Sequence, residues 1–286
     1  MKKIVLLLTV LCMMTISAYA LDEEKCKIYD FTADFSQDSA DMLGIGVKDG
    51  FHVSVIKGKL STVSTFGIPV SFTLNDRVVN DYDYAIFMLK CVYVDQNSKI
   101  CVKFKDEDGN EQEVNFNIPD KEFNLYSVKI PDMDVSGMEI FVNSIEPNMD
   151  NYTVELDYIR LYKTQIPVML TIDSTQAIVA SERKNLDSVA LIRNDFTLTP
   201  ARFVAESVGA DVKWIGEERK VLITKDETVI ELVIDSDVAR VNGKEIKLDV
   251  PACIINDFTY TPARFVAENL GCSVEWEPEH RTVIIS

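Results

Sequence analysis

Between residues 27 and 163 apolar and polar side chains alternate in short runs, and no stretch sustains the 3.6-residue period of a helix. Segments 51–56, 70–74, 84–94, 100–105, 113–118, 126–130, 138–142 and 154–162 read as short strands. Gly, Pro, Asn and Asp stand between them. Strands at that spacing predict a β-sandwich of jelly-roll type. The acidic stretch 106–111 falls between two of the strands and lacks EF-hand spacing, so a hairpin turn is expected there. Cys91 and Cys101 lie symmetrically about Gln96 in a turn-like stretch. In a hairpin they would face each other, either as a disulfide of matching geometry or as two reduced strand thiols.

After residue 167 the pattern changes and then repeats. The run 192–206, Ile-Arg-Asn-Asp-Phe-Thr-Leu-Thr-Pro-Ala-Arg-Phe-Val-Ala-Glu, returns at 254–268 as Ile-Ile-Asn-Asp-Phe-Thr-Tyr-Thr-Pro-Ala-Arg-Phe-Val-Ala-Glu. Beyond it Gly209/Gly271, Val212/Val274, Trp214/Trp276, Arg219/Arg281 and Val221/Val283 keep the same offset of 62. Each copy predicts strands around one short helix, giving a small α+β domain of two repeats, 168–229 and 230–286. Thr199-Pro200 and Thr261-Pro262 read as a hydroxyl N-cap followed by Pro at the first helical position. Gly209 and Gly271 stand where a left-handed residue should end the helix. Asn242-Gly243 predicts a two-residue hairpin turn, and the absence of Asn-Gly from copy one predicts a longer turn there. A unit of this size has a thin core, so the copies are expected to pack together. Trp214 and Trp276 are expected to anchor that core, and Arg202–Glu206 and Arg264–Glu268 to form surface ion pairs one helical turn apart.

The repeated motif, followed by Val-x-Trp and Arg-x-Val-x-Ile, resembles the copper amine oxidase N-terminal-like domain over residues 167–286. The resemblance implies a stalk module of exported and surface proteins of Gram-positive bacteria, appended in the oxidases to a separate catalytic domain. It implies no oxidase chemistry here. That chemistry needs three histidine copper ligands and a tyrosine-derived quinone, and the chain has only His52 and His280. In the first half, the opening Ile28-Tyr29-Asp30-Phe31 and the closing segment 154–162 are similar to galactose-binding-like jelly rolls, which include many carbohydrate-binding modules. That resemblance implies a glycan held on aromatic rings and a structural calcium, with Asp30 and Asp157 as its carboxylates. The first half contains no Trp, so Tyr82, Asp83 and Tyr84, in a turn-to-strand stretch, are the candidates for the contact surface.

Residues 1–20 combine Lys2 and Lys3, an apolar run and Ala18-Tyr19-Ala20, the pattern of a cleaved signal peptide. Leu11 before Cys12 is a poor lipobox, and no later segment is long and apolar enough to be read as a membrane span. The expected domains are therefore a sandwich at 22–164 and a duplicated domain at 167–286, with 163–167 as a short joint. With 29 basic against 46 acidic residues the net charge is −17, which argues against nucleic acid as a partner. No nucleophile elbow, Walker loop, dinucleotide fingerprint or zinc-protease motif occurs. The expectation is a mainly β, exported, non-catalytic binding protein, secreted or held non-covalently at the cell surface. Its jelly roll would engage an extracellular glycan or cell-wall component, requiring no cofactor beyond a possible structural calcium and no copper. The alternative is a purely structural or protein-interaction component of the envelope without glycan affinity.

Overall fold

The computed structural model describes residues 26–30, 45–47, 52–56, 59–65, 71–74, 77–92, 97–143 and 151–286. The expected signal peptide and Cys12 lie outside the described residues, as do the side chains of Cys26 and Asp30. The fold is mainly β. No helix among the described residues is long and apolar enough to cross a membrane.

Two sheets form the first half. The first contains β1 (Cys26–Asp30), β3 (His52–Ile56), β4 (Lys59–Thr65), β6 (Tyr84–Val92), β9 (Asn124–Lys129) and β11 (Asn151–Tyr162). Its order is β3-β4-β11-β6-β9, with β1 also on β11. The second sheet, β2-β5-β10-β7-β8, is built from β2 (Ile45–Val47), β5 (Ser71–Leu74), β7 (Lys99–Asp106), β8 (Glu111–Asn117) and β10 (Val135–Asn143). All pairings are antiparallel and the two inner faces enclose one core, including Phe72, Phe87, Phe104, Ile140 and Leu156. The acidic stretch is the expected hairpin turn: Gly109 takes a positive φ, and the Asp106 carboxylate accepts from the backbone N–H of Asn110 at 2.7 Å.

The Cys91–Cys101 pairing is not formed. The chain crosses between sheets after β6, so Cys91 points into the sandwich core, whereas Cys101 lies on the outer face of β7, between the inward-facing Ile100 and Val102. Both side chains are buried thiols, and the Cys101 thiol donates to Asn115 Oδ1 at 2.6 Å.

The second half is interlaced rather than merely paired. One sheet, β14-β13-β12-β25-β24, combines β12 (Val168–Thr171), β13 (Gln176–Val179) and β14 (Glu182–Asn185) of copy one with β24 (Val274–Glu277) and β25 (Thr282–Ile285) of copy two. Its counterpart, β17-β18-β19-β20-β21, is built the other way round. There β17 (Asp211–Ile215) and β18 (Lys220–Lys225) of copy one join β19 (Thr228–Val233), β20 (Val238–Val241) and β21 (Lys244–Lys247) of copy two. Between them lie the strands β15 (Leu191–Arg193), β16 (Phe196–Pro200), β22 (Cys253–Ile255) and β23 (Phe258–Pro262) with helices α1 (Ala201–Ser207) and α2 (Ala263–Asn269). Strand β16 pairs β23 with Thr199 opposite its counterpart Thr261, Leu198 opposite Pro262 and Pro200 opposite Tyr260, so a local two-fold axis passes between the threonines.

That seam displaces the expected helix caps. Thr199 and Thr261 are strand residues with buried hydroxyls that have no hydrogen-bond partner among the described residues; Pro200 and Pro262 occupy the N-cap position without a side-chain cap. Gly209 and Gly271 do end the helices, at φ 85° and 84°. The turn of copy one is not longer than that of copy two. Val179 pairs Glu182 as Val241 pairs Lys244, leaving two turn residues each, and Ala180 adopts φ 55° where copy two has Asn242 at 51°. The turn is anchored from both sides: Ala180 N–H donates to the Pro167 carbonyl at 2.8 Å, and Ser181 Oγ accepts from Lys129 N–H of the sandwich at 3.1 Å.

Candidate functional site

Tyr82 and Asp83 lie between a 3-10 turn at Arg77–Asp81 and β6, on the rim of an open depression of about 750 Å³. Asn80, Gln112, Lys129, Asp132, Met133 and Asp134 contribute to its lining. Asn80 fixes the far wall, since its amide donates to Asp134 Oδ1 and the Val135 carbonyl while its oxygen accepts from Val135 N–H. Tyr82 is half-buried against the sandwich core and Asp83 is exposed. The Asp83 backbone ties the ends of β11 and β9, donating to Tyr162 O at 2.9 Å and accepting from Ile130 N–H at 2.8 Å. Tyr84 is buried beneath the rim, where desolvation and then the Asp83 charge push its hydroxyl pKa up. Of the three nominated residues, two therefore reach the depression and one supports it.

Asp157 sits elsewhere. Pairing of β11 with β6 shifts register between Leu156 and Tyr158, which makes Asp157 the extra residue of a β-bulge. The parity change sends Asp157 and Tyr158 toward the duplicated domain, where Asp157 Oδ2 meets His280 Nε2 at 2.5 Å. His280 is presented by a turn in which the buried Glu277 carboxylate accepts from the N–H groups of Glu279 and His280, at 2.8 and 2.7 Å. Beside it the Arg160 guanidinium pairs with Glu275, which also accepts from Tyr162 Oη at 2.7 Å, and stacks 4.3 Å from the Tyr158 ring centre. Asp157, Glu279 and His280 bring one ligand atom each within 4.8 Å of one another. That set contains an imidazole nitrogen and is not the all-oxygen shell that calcium takes. Asp30 is in β1 opposite Tyr158, with its side chain outside the described residues.

This polar cluster borders an apolar seam. Ile86, Met88, Leu125, Tyr158 and Tyr162 of the sandwich pack on Met169, Ile178 and Ile284 of the duplicated domain. The joint at 163–167 thus connects two bodies already held together by a buried face. Sequence reasoning missed this seam, although β6 announces it: Tyr84–Leu89 is apolar on both faces, as a strand covered on both sides must be.

The tryptophans overturn the expectation of core anchors. Trp214 and Trp276 are 41% and 37% exposed. Each lies on the edge strand of its sheet, β17 or β24, paired to Val221 or Val283, so the indole overhangs the rim of the core where no further strand packs. Trp214 lines a groove of about 330 Å³ with Ala201, Arg202, Ile254, Asp257 and Phe258. Trp276 lines one of about 640 Å³ with Ala263, Arg264, Ile192, Asp195 and Phe196. The expected Arg202–Glu206 and Arg264–Glu268 pairs are present at 3.0 and 2.9 Å on exposed helix faces.

The family model described as copper amine oxidase N-terminal domain matches residues 138–217 and 190–285, which together span just over half of the chain. The chain belongs to the copper amine oxidase N-terminal domain family. Membership brings no three-histidine copper centre with it, because the sequence holds two histidines in all. No curated protein matches. Among solved structures, a mutant of a family 29 carbohydrate binding module is similar at 16% identity and TM-score 0.34, over 47% of this chain and 89% of that one. The CBM22-1 xylan-binding domain from Paenibacillus barcinonensis Xyn10C is similar at 15% identity and TM-score 0.34, over 48% and 94%. An agarase is similar at 11% identity and TM-score 0.35, over 48% of this chain and 26% of its own. The matched residues run from β10 of the sandwich through the whole of the duplicated domain, and the sandwich is docked against that domain.

Proposed function

We propose that the protein is an exported, non-catalytic binding protein whose sandwich takes a neutral extracellular glycan in the Tyr82–Asp83 depression, with the duplicated domain as its rigid base. The observation that carries this reading is the make-up of the depression. One aromatic ring and one methionine stand among an amide-rich and carboxylate-rich rim, the combination that meets a sugar's apolar face and its hydroxyls together. Its openness suits a chain lying across it better than a reactive centre closed from water. Export rests on the pattern of residues 1–20.

The test is a glycan array probed with the full chain, with calcium and with chelator. Specific signal that falls in Tyr82→Ala and Asp83→Ala, with the fold unchanged by circular dichroism, is the expected result. A silent array, or signal indifferent to both substitutions, overturns the reading and leaves a structural envelope component. Loss of signal in chelator alone would make calcium part of the site. Indifference to chelator removes calcium from it.

A further inference from the structure

Five of the eight large apolar side chains exposed among the described residues, Ile192, Phe196, Trp214, Ile254 and Trp276, fall into the two grooves of the duplicated domain. The grooves share one set of lining positions, to which the larger second groove adds seven residues, Lys247, Glu268 and Glu275 among them. Ten lining residues of the first (Pro200, Ala201, Arg202, Val212, Trp214, Val221, Ile254, Asp257, Phe258 and Thr259) have their counterparts, offset by 62, lining the second. Each groove joins the helix start and tryptophan of one repeat to the Asn-Asp-Phe-Thr hairpin of the other, so neither repeat forms one alone. We infer that these are two equivalent glycan sites, each stacking a neutral pyranose on its tryptophan and hydrogen-bonding it through Arg202 with Asp257, or Arg264 with Asp195. The inference uses other residues than the Tyr82 depression and stands or falls separately.

The hairpin sets the position of the carboxylate. Asn194-Asp195 and Asn256-Asp257 are two-residue turns in which all four residues have positive φ, between 49° and 67°. Glycine is the favoured second residue of such a turn, and the same domain uses it at Gly243. Both copies instead hold an aspartate there, one of the side chains that best tolerates the left-handed region, and both aspartates line a groove, whereas Asp173, Asp226 and Asp235 take positive φ outside the grooves. The Trp214 indole Nε1 lies 3.4 Å from where a side chain on Gly216 would begin, so glycine there leaves the N–H edge of the ring uncrowded.

Charge selects the ligand class. The Trp214 groove sets one guanidinium, Arg202, against one carboxylate, Asp257, and the Trp276 groove adds Lys247, Asp249, Glu268 and Glu275 to Arg264 and Asp195, so neither carries the net positive charge that a polyanion needs, and a net charge of −17 repels one. A second copy of the chain is a poor occupant. Outside the grooves its described exposed large apolar residues are Ile166, Val233 and Val238, and a concave groove does not seat another groove. The two-fold axis at Thr199 and Thr261 exchanges the sites, so two bound saccharides would be related by that axis.

Trp214 and Trp276 are the only tryptophans, so intrinsic fluorescence reads the grooves directly. Full-length Trp214→Phe and Trp276→Phe leave one reporter each, to be titrated to millimolar with cellohexaose, xylohexaose, mannohexaose and chitohexaose. The expected result is a saturable emission change in both reporters with the same hexaose, unaffected by Tyr82→Ala. Asp257→Asn in the Trp214 groove and Asp195→Asn in the Trp276 groove should weaken it roughly tenfold, each in its own groove only. An unmoved emission with every hexaose, a response in one groove alone, or a response abolished by Tyr82→Ala overturns the proposal. A shift that follows protein concentration, with dimer in sedimentation, assigns the grooves to a second copy and also overturns it.

Discussion

The two five-stranded sheets of the duplicated domain share one backbone plan but meet different surroundings. On the sheet ending in β24 the outward positions Met169, Ile178 and Ile284 are apolar and covered by the sandwich. Their counterparts on the other sheet are Glu231, Arg240 and Leu222, and there Glu231 makes a half-buried pair with Lys220 at 3.1 Å and Arg240 an exposed one with Glu245 at 2.8 Å. Along the edge strand the same contrast holds: Glu275, Glu277 and His280 serve the junction where copy one has Lys213, Ile215 and Glu218. A handful of side chains on an unchanged scaffold therefore decides which of two equal faces is an interface. Burial of a charge is tolerated there because Arg160 and Glu275 answer one another and Tyr162 fills a further acceptor position.

Exchanging those side chains breaks the contrast most severely at the buried pair. Glu275→Lys, which installs the residue of copy one, sets a cation against Arg160, whose side chain is 8% exposed. The expected loss is about 3–5 kcal/mol in chemical denaturation, the usual cost of orphaning a buried charge. The reciprocal Lys213→Glu, on the solvated edge, should change stability by less than about 0.5 kcal/mol. Equal effects would mean that the sandwich does not rest on the β24 edge. A smaller effect comes from the apolar seam. Ile284→Ala should cost about 3 kcal/mol, and Leu222→Ala, at the half-buried equivalent position, about 1 kcal/mol.

Much of this was legible in the chain. The eight strand segments of the sandwich, the repeat, the glycine helix stops and the hairpin at 106–111 follow from periodicity and turn chemistry, which are local. What was missed is non-local. The cap reading of Thr199 failed because pairing with Thr261 across the two-fold seam holds it in a strand. The tryptophans were read as core anchors because periodicity gives the face of a strand but not whether the strand is at an edge. The Cys91–Cys101 hairpin failed because sequence proximity does not reveal a crossover between sheets. The junction did leave a trace: subtracting one copy from the other, position by position, gives Met169 against Glu231 and Ile178 against Arg240. That difference marks the covered face without any coordinates.

The smallest expected effect is a control on the whole comparison. Arg202–Glu206 and Arg264–Glu268 are the same pair on the two helices, with side chains between 42% and 57% exposed. Solvent screens such pairs, and each is worth about 0.3–0.5 kcal/mol whatever the rest of its repeat is doing. Glu206→Gln and Glu268→Gln should therefore lower stability by the same small amount, although only the second repeat carries the docked edge. If the docking energy is confined to the outward face and the β24 edge, the helix pairs do not feel it. A Glu268→Gln loss clearly above that of Glu206→Gln would show that contact with the sandwich tightens the repeat through to α2, and the sharp division between a docked sheet and a free sheet would give way to a graded one.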